Sequence, residues 1–486
     1  MYKLLPFRFS KFDSKYFLTN EIGEFIFLKQ QEFNSLINKE INENSTLYKN
    51  LSSKFFICEP SNIEFATKLL SVKYRTKKSF LNNFTTLHII VPTLQCNSNC
   101  LYCQVSSQDS TLSKFIMDLS SAKKVVNLIF KSSSKYIKIE LQGGEPLLKF
   151  DLVQKIIKYS TKLNRFYHKH LEFVICTNLT LITERQLTFI KKFPIWISTS
   201  LDGPKEIHDY NRPLRNGKSS YDLFKHNLEM TRNIVGFNRI SALLTVTKKS
   251  LSYHKEIINE YILNQFHSIF LRSLNPFGLA IKNKKKLGYS IDDFIEFYKK
   301  SLLYIIKINL NGYFLVEEYA SIILNKILTP FSTSFVDLQS PAGIGISYAL
   351  YNYDGNIYTS DEGRMLAETG DNKFHIGSIS QKYEEIFYGY KIKSLIRNSV
   401  AETLPECCFC PLVVYCGADP VRNYVEQNDI IGNRIISKIC KKNKEIINFL
   451  LKIIDDNNSE YMNVFWSWIT HRQLNQVELK HENNIC

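Results

Sequence analysis

An α/β architecture is predicted for this chain: a partial (β/α)6 TIM-like barrel, with a small winged-helix-like module ahead of it and a loop-rich, cysteine-bearing domain behind it. Three observations predict it. From residue 87 onward, short apolar runs alternate with amphipathic stretches, a repeat that implies a parallel sheet. The residues before that point lack the rhythm. Eight of the eleven cysteines fall in two groups, one at the start of the repeat and one far behind it.

The bulk numbers set the frame. At 486 residues, 44% of them hydrophobic, the chain exceeds one typical domain and builds a core without disulfides. No run approaches 18 apolar residues, so no membrane helix is expected. The N-terminus, MYKLLPFRFSKFDSKYF, lacks the apolar core and small-residue cleavage site of a signal peptide. A cytoplasmic protein with no membrane partner is therefore expected. The formal charge of +16 comes from 62 Lys and Arg against 46 Asp and Glu. A nucleic-acid partner would use such a charge. No Lys/Arg run concentrates it, however, and the wealth of Asn, Ile, Phe and Tyr is what AT-rich coding sequence produces.

Along the chain, 1–82 reads as a module with a hairpin at 16–28 and a helix at 31–51. Residues 83–290 form the barrel. Its strands are expected near 87–91, 136–141, 172–176, 195–200, 240–246 and 268–271, with helices such as 122–131, 152–163, 184–192 and 223–235 between them. Residues 291–334 read as a helical connector and 335–450 as the loop-rich cysteine domain. Residues 451–486 read as a helical tail, with Trp466 and Trp468 on its apolar face and a polar end. Parallel α/β sheets carry their chemistry at the C-terminal ends of the strands, and each motif below sits at such an end.

The first cysteine group, VPTLQCNSNCLYCQ, places Cys96, Cys100 and Cys103 on one loop directly after a strand. Three thiolates hold three corners of an iron–sulfur cubane and leave the fourth iron open, as a catalytic rather than a structural site does. This Cys-x3-Cys-x2-Cys spacing resembles the signature of the radical S-adenosylmethionine (SAM) superfamily. The resemblance implies a radical SAM barrel whose [4Fe-4S] cluster chelates SAM and cleaves it to a 5′-deoxyadenosyl radical. Tyr102 matches the aromatic usual in that loop. The segment LQGGEPL follows at the end of the second strand. By the same resemblance Gly143, Gly144 and Glu145 receive the methionine end of SAM. Asn178 after the third strand, and Ser198 and Ser200 in ISTSLDG on the fourth, stand where SAM-contacting polar groups are expected. Asp202 stands in the same segment, and HDYNRP, with His208, Asp209 and Arg212, follows. A capped strand–helix turn accounts equally for these last polar residues.

The second group, PECCFCPLVVYCGADP, offers Cys407, Cys410 and Cys416, with Cys440 downstream and Cys408 as an extra, the alternative to Cys407 as a ligand. Four thiolates close a second cluster; four cysteines also suit zinc. The pattern resembles the SPASM extension of radical SAM enzymes, an iron–sulfur domain that carries two auxiliary clusters. Here Pro420 stands where one of its cysteines would be. In YNYDGNIYTSDEGR, Ser360 replaces another. One auxiliary [4Fe-4S] cluster, ligated by Cys407, Cys410, Cys416 and Cys440, is therefore expected. Asp361 occupies the place of the catalytic base in sulfatase-maturing relatives; the alternative is an ion pair with Arg364.

LPFRF…FLTNEIGEF, DGNIYTSDEGRMLAETGD and CGADPVRNYVEQNDI resemble the B-type radical SAM maturase of His-Xaa-Ser systems. That resemblance implies a peptide maturase that crosslinks or oxidises side chains of a ribosomally made precursor peptide. Its N-terminal module would be a precursor-peptide recognition element, and its electrons would come from a flavodoxin or ferredoxin. A sulfatase-maturase-like oxidase is the alternative enzyme. A zinc-stabilised binding protein is the alternative outside enzymes, and it leaves GGEP unexplained.

Overall fold

A computed structural model describes residues 2–333 and 335–477. Contacts divide the chain into two units. One joins Met1–Asn82, Ala320–Gly343 and Ile396–His471; the other consists chiefly of Asn83–Tyr319 and Ile344–Leu395. The range 335–450 is thus divided between them, and the N-terminal module shares its unit with the second cysteine group.

In the first of these units, three antiparallel strands lie in the order β1-β2-β3: Phe7–Phe12, Lys15–Asn20 and Phe25–Lys29. Neighbouring residues of a strand face opposite ways, and both Phe17 and Leu18 of β2 are fully buried. The Leu18 face packs on Leu28, Phe33, Leu36 and Leu51. The other face meets the cysteine segment and the last long helix. Thr19 Oγ1 donates to the Pro411 carbonyl at 2.6 Å, Arg8 Nε donates to the Cys408 carbonyl at 2.6 Å, and Lys15 pairs with Asp455 at 2.7 Å.

The single helix expected at 31–51 is two, Gln30–Asn38 and Thr46–Ser53. Lys39 turns left-handed at φ +63°, and Ser45 restarts the helix by accepting from the Tyr48 amide. Leu36 and Leu51 reach the same core across the break, so apolar spacing alone does not reveal it. The tail is likewise broken, into Lys438–Asp456 and Ser459–Thr470, at left-handed Asn457. Trp468 is fully buried and Trp466 half-buried. The polar end expected beyond 477 lies outside the described residues.

The second unit is built on one nine-stranded sheet. Its strands are β4 Leu87–Thr93, β5 Tyr136–Gly143, β6 His170–Cys176, β7 Ile195–Ser200, β8 Ile240–Thr245, β9 Leu271–Arg272, β10 Tyr348–Tyr351, β11 Asn356–Tyr358 and β12 His375–Ser378. They run β9-β8-β7-β6-β5-β4-β10-β11-β12. All pairs from β9 to β10 are parallel; β11 and β12 are antiparallel additions. Six parallel strands were expected and seven are present. The extra strand, YALY, is a short continuous apolar run, buried throughout, as strands covered on both faces are. It lies in a stretch otherwise rich in turns. The expected strand at 268–271 is divided, because Ser268–Ile269 pairs instead with Val316–Glu317.

Register sorts the sheet into two faces. Ile139, Phe173, Ile195 and Ile197, Ile175, Leu141 form in-register rows that are fully buried or nearly so. Each such side chain contributes about 1.5–3 kcal/mol. On the opposite face stand Glu140, Cys176, Ser198 and Ser200, along with the exposed Trp196 and Leu243. Among the described residues no helix is long and apolar enough to cross a membrane.

At the end of β5 the chain crowds the loop that follows β4. A Cβ on Gly144 would lie 2.1 Å from the Gln95 carbonyl oxygen and 2.5 Å from that of Leu94. Backbone cannot yield as a flexible side chain does. Gly144→Ala is therefore expected to destabilise the protein by about 1–3 kcal/mol, the range of overpacking, read as a lowered Tm. An unchanged Tm would mean that this approach is looser than drawn.

Candidate active site

The loop after β4 is held at almost every turn. The Cys96 amide donates to the Gln108 carbonyl at 2.9 Å, and that of Gln108 donates to the Leu94 carbonyl at 2.7 Å. The Leu101 and Asn99 amides donate to the Asn211 and Pro213 carbonyls. The Cys103 carbonyl accepts from the Leu279 amide, and Arg215 Nε donates to the Cys96 carbonyl. Gly278, at φ +55°, is needed where it passes the loop, since a Cβ there would meet the Gln104 oxygen at 2.5 Å.

The Gly-Gly-Glu-Pro segment completes the clamp. The Gly144 and Glu145 amides donate to the Thr93 and Gln95 carbonyls at 2.9 and 2.7 Å. Glu145 is fully buried. Its carboxylate accepts from the Leu147 amide, the Thr177 hydroxyl and the Asn178 amide at 3.0, 2.8 and 2.8 Å. Asn178 Nδ2 in turn donates to Asn97 Oδ1 at 2.8 Å and Ser98 Oγ at 3.0 Å. Both side chains thus tie the ends of β5 and β6 to the cysteine loop. Burial pushes the Glu145 carboxyl up to about 7 against the opposing amide and hydroxyl donors.

Tyr102 is buried with Ala280 and Leu287, and its hydroxyl donates to Asp202 Oδ2 at 2.5 Å. Arg212 lies over the same ring, 5.3 Å from its centroid, and its Nε donates to that oxygen at 3.2 Å. The Thr245 amide donates to Asp202 Oδ1. The Asp202 amide donates to Nδ1 of His208, whose ring burial lowers to about 4. Sequence reasoning names Asp202 with Ser198 and Ser200 in ISTSLDG but gives it no role; its partners supply one. Its position two residues after Ser200, in SLDG, was the signal.

Burial pushes the thiols of Cys96 and Cys100 up, that of Cys100 to about 12, and the three thiols act on one another. Arg212 opposes the rise at Cys100. Ligation releases such protons, and a nearby guanidinium favours the thiolate that results. Among the described residues no three of His, Cys, Asp and Glu converge on a single metal ion. A cubane asks for something else, one thiolate at each of several irons. Three thiols that act on one another from a single clamped loop, with a cation beside them, fit that group.

On the polar face of the sheet the Cys176 thiol donates to Glu140 at 3.2 Å, with the Ser198 hydroxyl beside it. Ser200 follows on the same face. Asp361 acts electrostatically on Cys176. Ser360 is fully buried and caps the helix Asp361–Ala367 by accepting from the Gly363 amide at 3.0 Å. Arg364 does not pair with Asp361. It donates to Glu368 and to the Val105 carbonyl of the cysteine loop. Glu362, which sequence reasoning missed, adjoins Asp361 and accepts from the Tyr348 hydroxyl at 3.3 Å. Burial, then Asp361, pushes its carboxyl up to about 8, and Arg272 opposes this.

The second cysteine group also draws together. Cys407, Cys410 and Cys440 each feel Cys416, and Cys440 feels all three others. Burial raises Cys407, Cys410 and Cys440, the last to about 11. Arg434 Nε donates to Cys407 Sγ at 3.1 Å and Asn443 Nδ2 donates to Cys416 Sγ at 3.5 Å.

Because the folded Glu145 carboxyl holds its proton up to about 7 and an unfolded one only to 4.5, its contribution to stability is complete below pH 4.5. It is lost as pH rises through 7. The apoprotein is expected to lose about 3 kcal/mol over that window, measured against Glu145→Gln by Tm at a series of pH values. Parallel pH profiles for the two would contradict this.

Several known proteins share these features. A model described as the radical SAM superfamily matches residues 90–257. An uncharacterised protein of Methanocaldococcus jannaschii is 32% identical over 217 residues, 44% of this chain and 70% of its own. A cysteine-type anaerobic sulfatase-maturating enzyme of Clostridium novyi is 27% identical over 345 residues, 68% of this chain and 85% of its own. Among solved structures, native anSMEcpe with bound AdoMet superposes with a TM-score of 0.63 at 19% identity, covering 76% of this chain and all of its own. Streptococcus suis SuiB bound to precursor peptide SuiA gives 0.53 at 16%, covering 91% of this chain and all of its own. With its three-cysteine loop and Gly-Gly-Glu-Pro segment at the ends of adjacent parallel strands, the chain belongs to the radical SAM superfamily, whose cofactors are a [4Fe-4S] cluster and SAM.

Proposed function

We propose that the protein is a peptide-modifying maturase. It works in the cytoplasm on a ribosomally made precursor peptide of the His-Xaa-Ser kind, whose side chains it crosslinks or oxidises. The observation that carries this reading is the construction of the first unit. The N-terminal sheet and the four-thiol segment are welded together by Thr19, Arg8 and the Tyr415 hydroxyl, which donates to the Gly23 carbonyl at 2.8 Å. With β1 and β3 at its edges, the sheet offers a peptide two backbone ladders. The likeness in fold to a complex with a precursor peptide supports the reading.

When bound, the first cluster supplies the electron that cleaves SAM to methionine and a 5′-deoxyadenosyl radical. Cys96, Cys100 and Cys103 would hold it, and the backbone of Gly143, Gly144 and Glu145 would receive the amino group of SAM. Ser198 and Ser200 would face its ribose or carboxylate, while Tyr102 and Asn178 act by fixing the loop. That radical would supply hydrogen-atom abstraction from a peptide side chain. Asp361 would accept the proton that the substrate gives up, and Cys407, Cys410, Cys416 and Cys440 would hold an auxiliary [4Fe-4S] cluster, which would supply an acceptor for the remaining electron. The substrate thereby loses an electron pair and its protons. A flavodoxin or ferredoxin would replenish the first cluster.

Coexpression with the short reading frame nearest the gene that encodes His-x-Ser repeats tests this by peptide mass. The peptide is expected to lose the hydrogens removed in each oxidation. Asp361→Asn is expected to keep SAM cleavage while slowing product formation by about 10²–10⁴-fold. An unmodified peptide beside a protein that cleaves SAM would overturn the peptide assignment. Oxidation of a sulfatase-derived cysteine peptide by the same preparation would favour the sulfatase-maturase reading, to which the Clostridium novyi relative points.

A further inference from the structure

We propose that Arg434 is a positioning residue that sets the redox balance of the second cysteine site. It holds the cluster there at a more positive potential, so that the cluster takes up an electron rather than giving one. This rests on the auxiliary-cluster reading above. Arg434 is buried, with 8% of its surface exposed. Its Nε donates to Cys407 Sγ at 3.1 Å, and its Nη2 is buried with no hydrogen-bond partner. A buried guanidinium nitrogen without a partner is costly. Beside Cys407 and the other thiols of this group, the acceptors that would satisfy it are the sulfurs of a cluster.

The Glu406 carboxylate accepts from the Arg434 amide at 3.1 Å, while most of the other groups around the site add positive charge. Lys444, exposed, acts on Cys407, Cys410 and Cys440. Asn443 donates to Cys416 Sγ, and the side-chain nitrogen of Lys326, whose pKa burial lowers to about 7, donates to the Cys416 carbonyl at 3.0 Å. Cys440 sits in the first turn of the nineteen-residue helix Lys438–Asp456, at the positive end of its dipole. Hydrogen bonds and positive charge at the sulfurs stabilise the reduced, more negative state of a cluster. The first site contrasts with this. Its arginines each have a carboxylate beside them, Arg212 with Asp202, Arg215 with Asp109 and Arg364 with Glu368, which offsets part of their charge. Two clusters in one chain thus meet different fields, one suited to donating and one to accepting.

The test uses the full-length Cys96→Ala/Cys100→Ala/Cys103→Ala protein, reconstituted anaerobically so that only the second site carries iron. Its midpoint potential is read by EPR during redox titration, with iron and zinc measured on the same samples. Arg434→Gln is expected to shift the midpoint negative by at least tenfold in the one-electron equilibrium, about 59 mV. Arg434→Lys and Lys444→Gln are expected to shift it less, in the same direction. An iron-replete Arg434→Gln protein with an unshifted midpoint overturns the proposal. If that variant holds no iron, unshifted midpoints in both other variants overturn it. Zinc in place of iron in the parent protein overturns the auxiliary-cluster reading first, and this proposal with it.

Discussion

Three cysteines within eight residues repel one another once they are thiolates, and the barrel is arranged around keeping them together. The loop closes on itself only through a few hydrogen bonds, such as those between Cys96 and Gln108 and between Gln108 and Leu94. Its shape comes from outside, through the Gly143–Gly144 backbone pressed against Thr93 to Gln95 and through the Glu145–Asn178 relay to Asn97 and Ser98. Gly278 and Arg364 hold its far side. A site that must present an open coordination position cannot rely on the metal to organise the fourth side. Preorganisation by the surrounding chain takes that role.

This changes the meaning of the glycines. Read as sequence, they suggest close approach to a ligand. In the fold their first partner is the protein's own backbone, which leaves no room for a Cβ on either residue. Tyr102 changes in the same way. Its ring is packed and its hydroxyl is committed to Asp202, so it works by anchoring the loop and Arg212 beside Cys100. A small shift there would alter the field at the thiols before it altered any contact with substrate.

What the sequence reveals is local in space as well as in order. The cysteine loop, GGEP and the strands that carry them are legible because spacing along the chain maps directly onto one loop or one strand end. Glu362 and Arg434 are not, and Asp202 is named from its motif without its role, because each acquires that role from a partner elsewhere in the chain: Tyr348, Cys407 and Tyr102. The kinship of the N-terminal sheet with residues 396–471 is hidden for the same reason. Ser360 shows both sides. Its standing where the SPASM pattern expects a cysteine reads from the motif, while its work as a helix cap needs the Gly363 amide in view.

The most direct test of the central claim is product analysis of SAM turnover. Anaerobic, dithionite-reduced protein is incubated with SAM, and 5′-deoxyadenosine and methionine are quantified by liquid chromatography and mass spectrometry. The account predicts both products from the wild type, none from Cys96→Ala/Cys100→Ala/Cys103→Ala, and continued cleavage by Cys407→Ala. Intact SAM beside an iron-replete wild type, or cleavage by the triple variant, would contradict it.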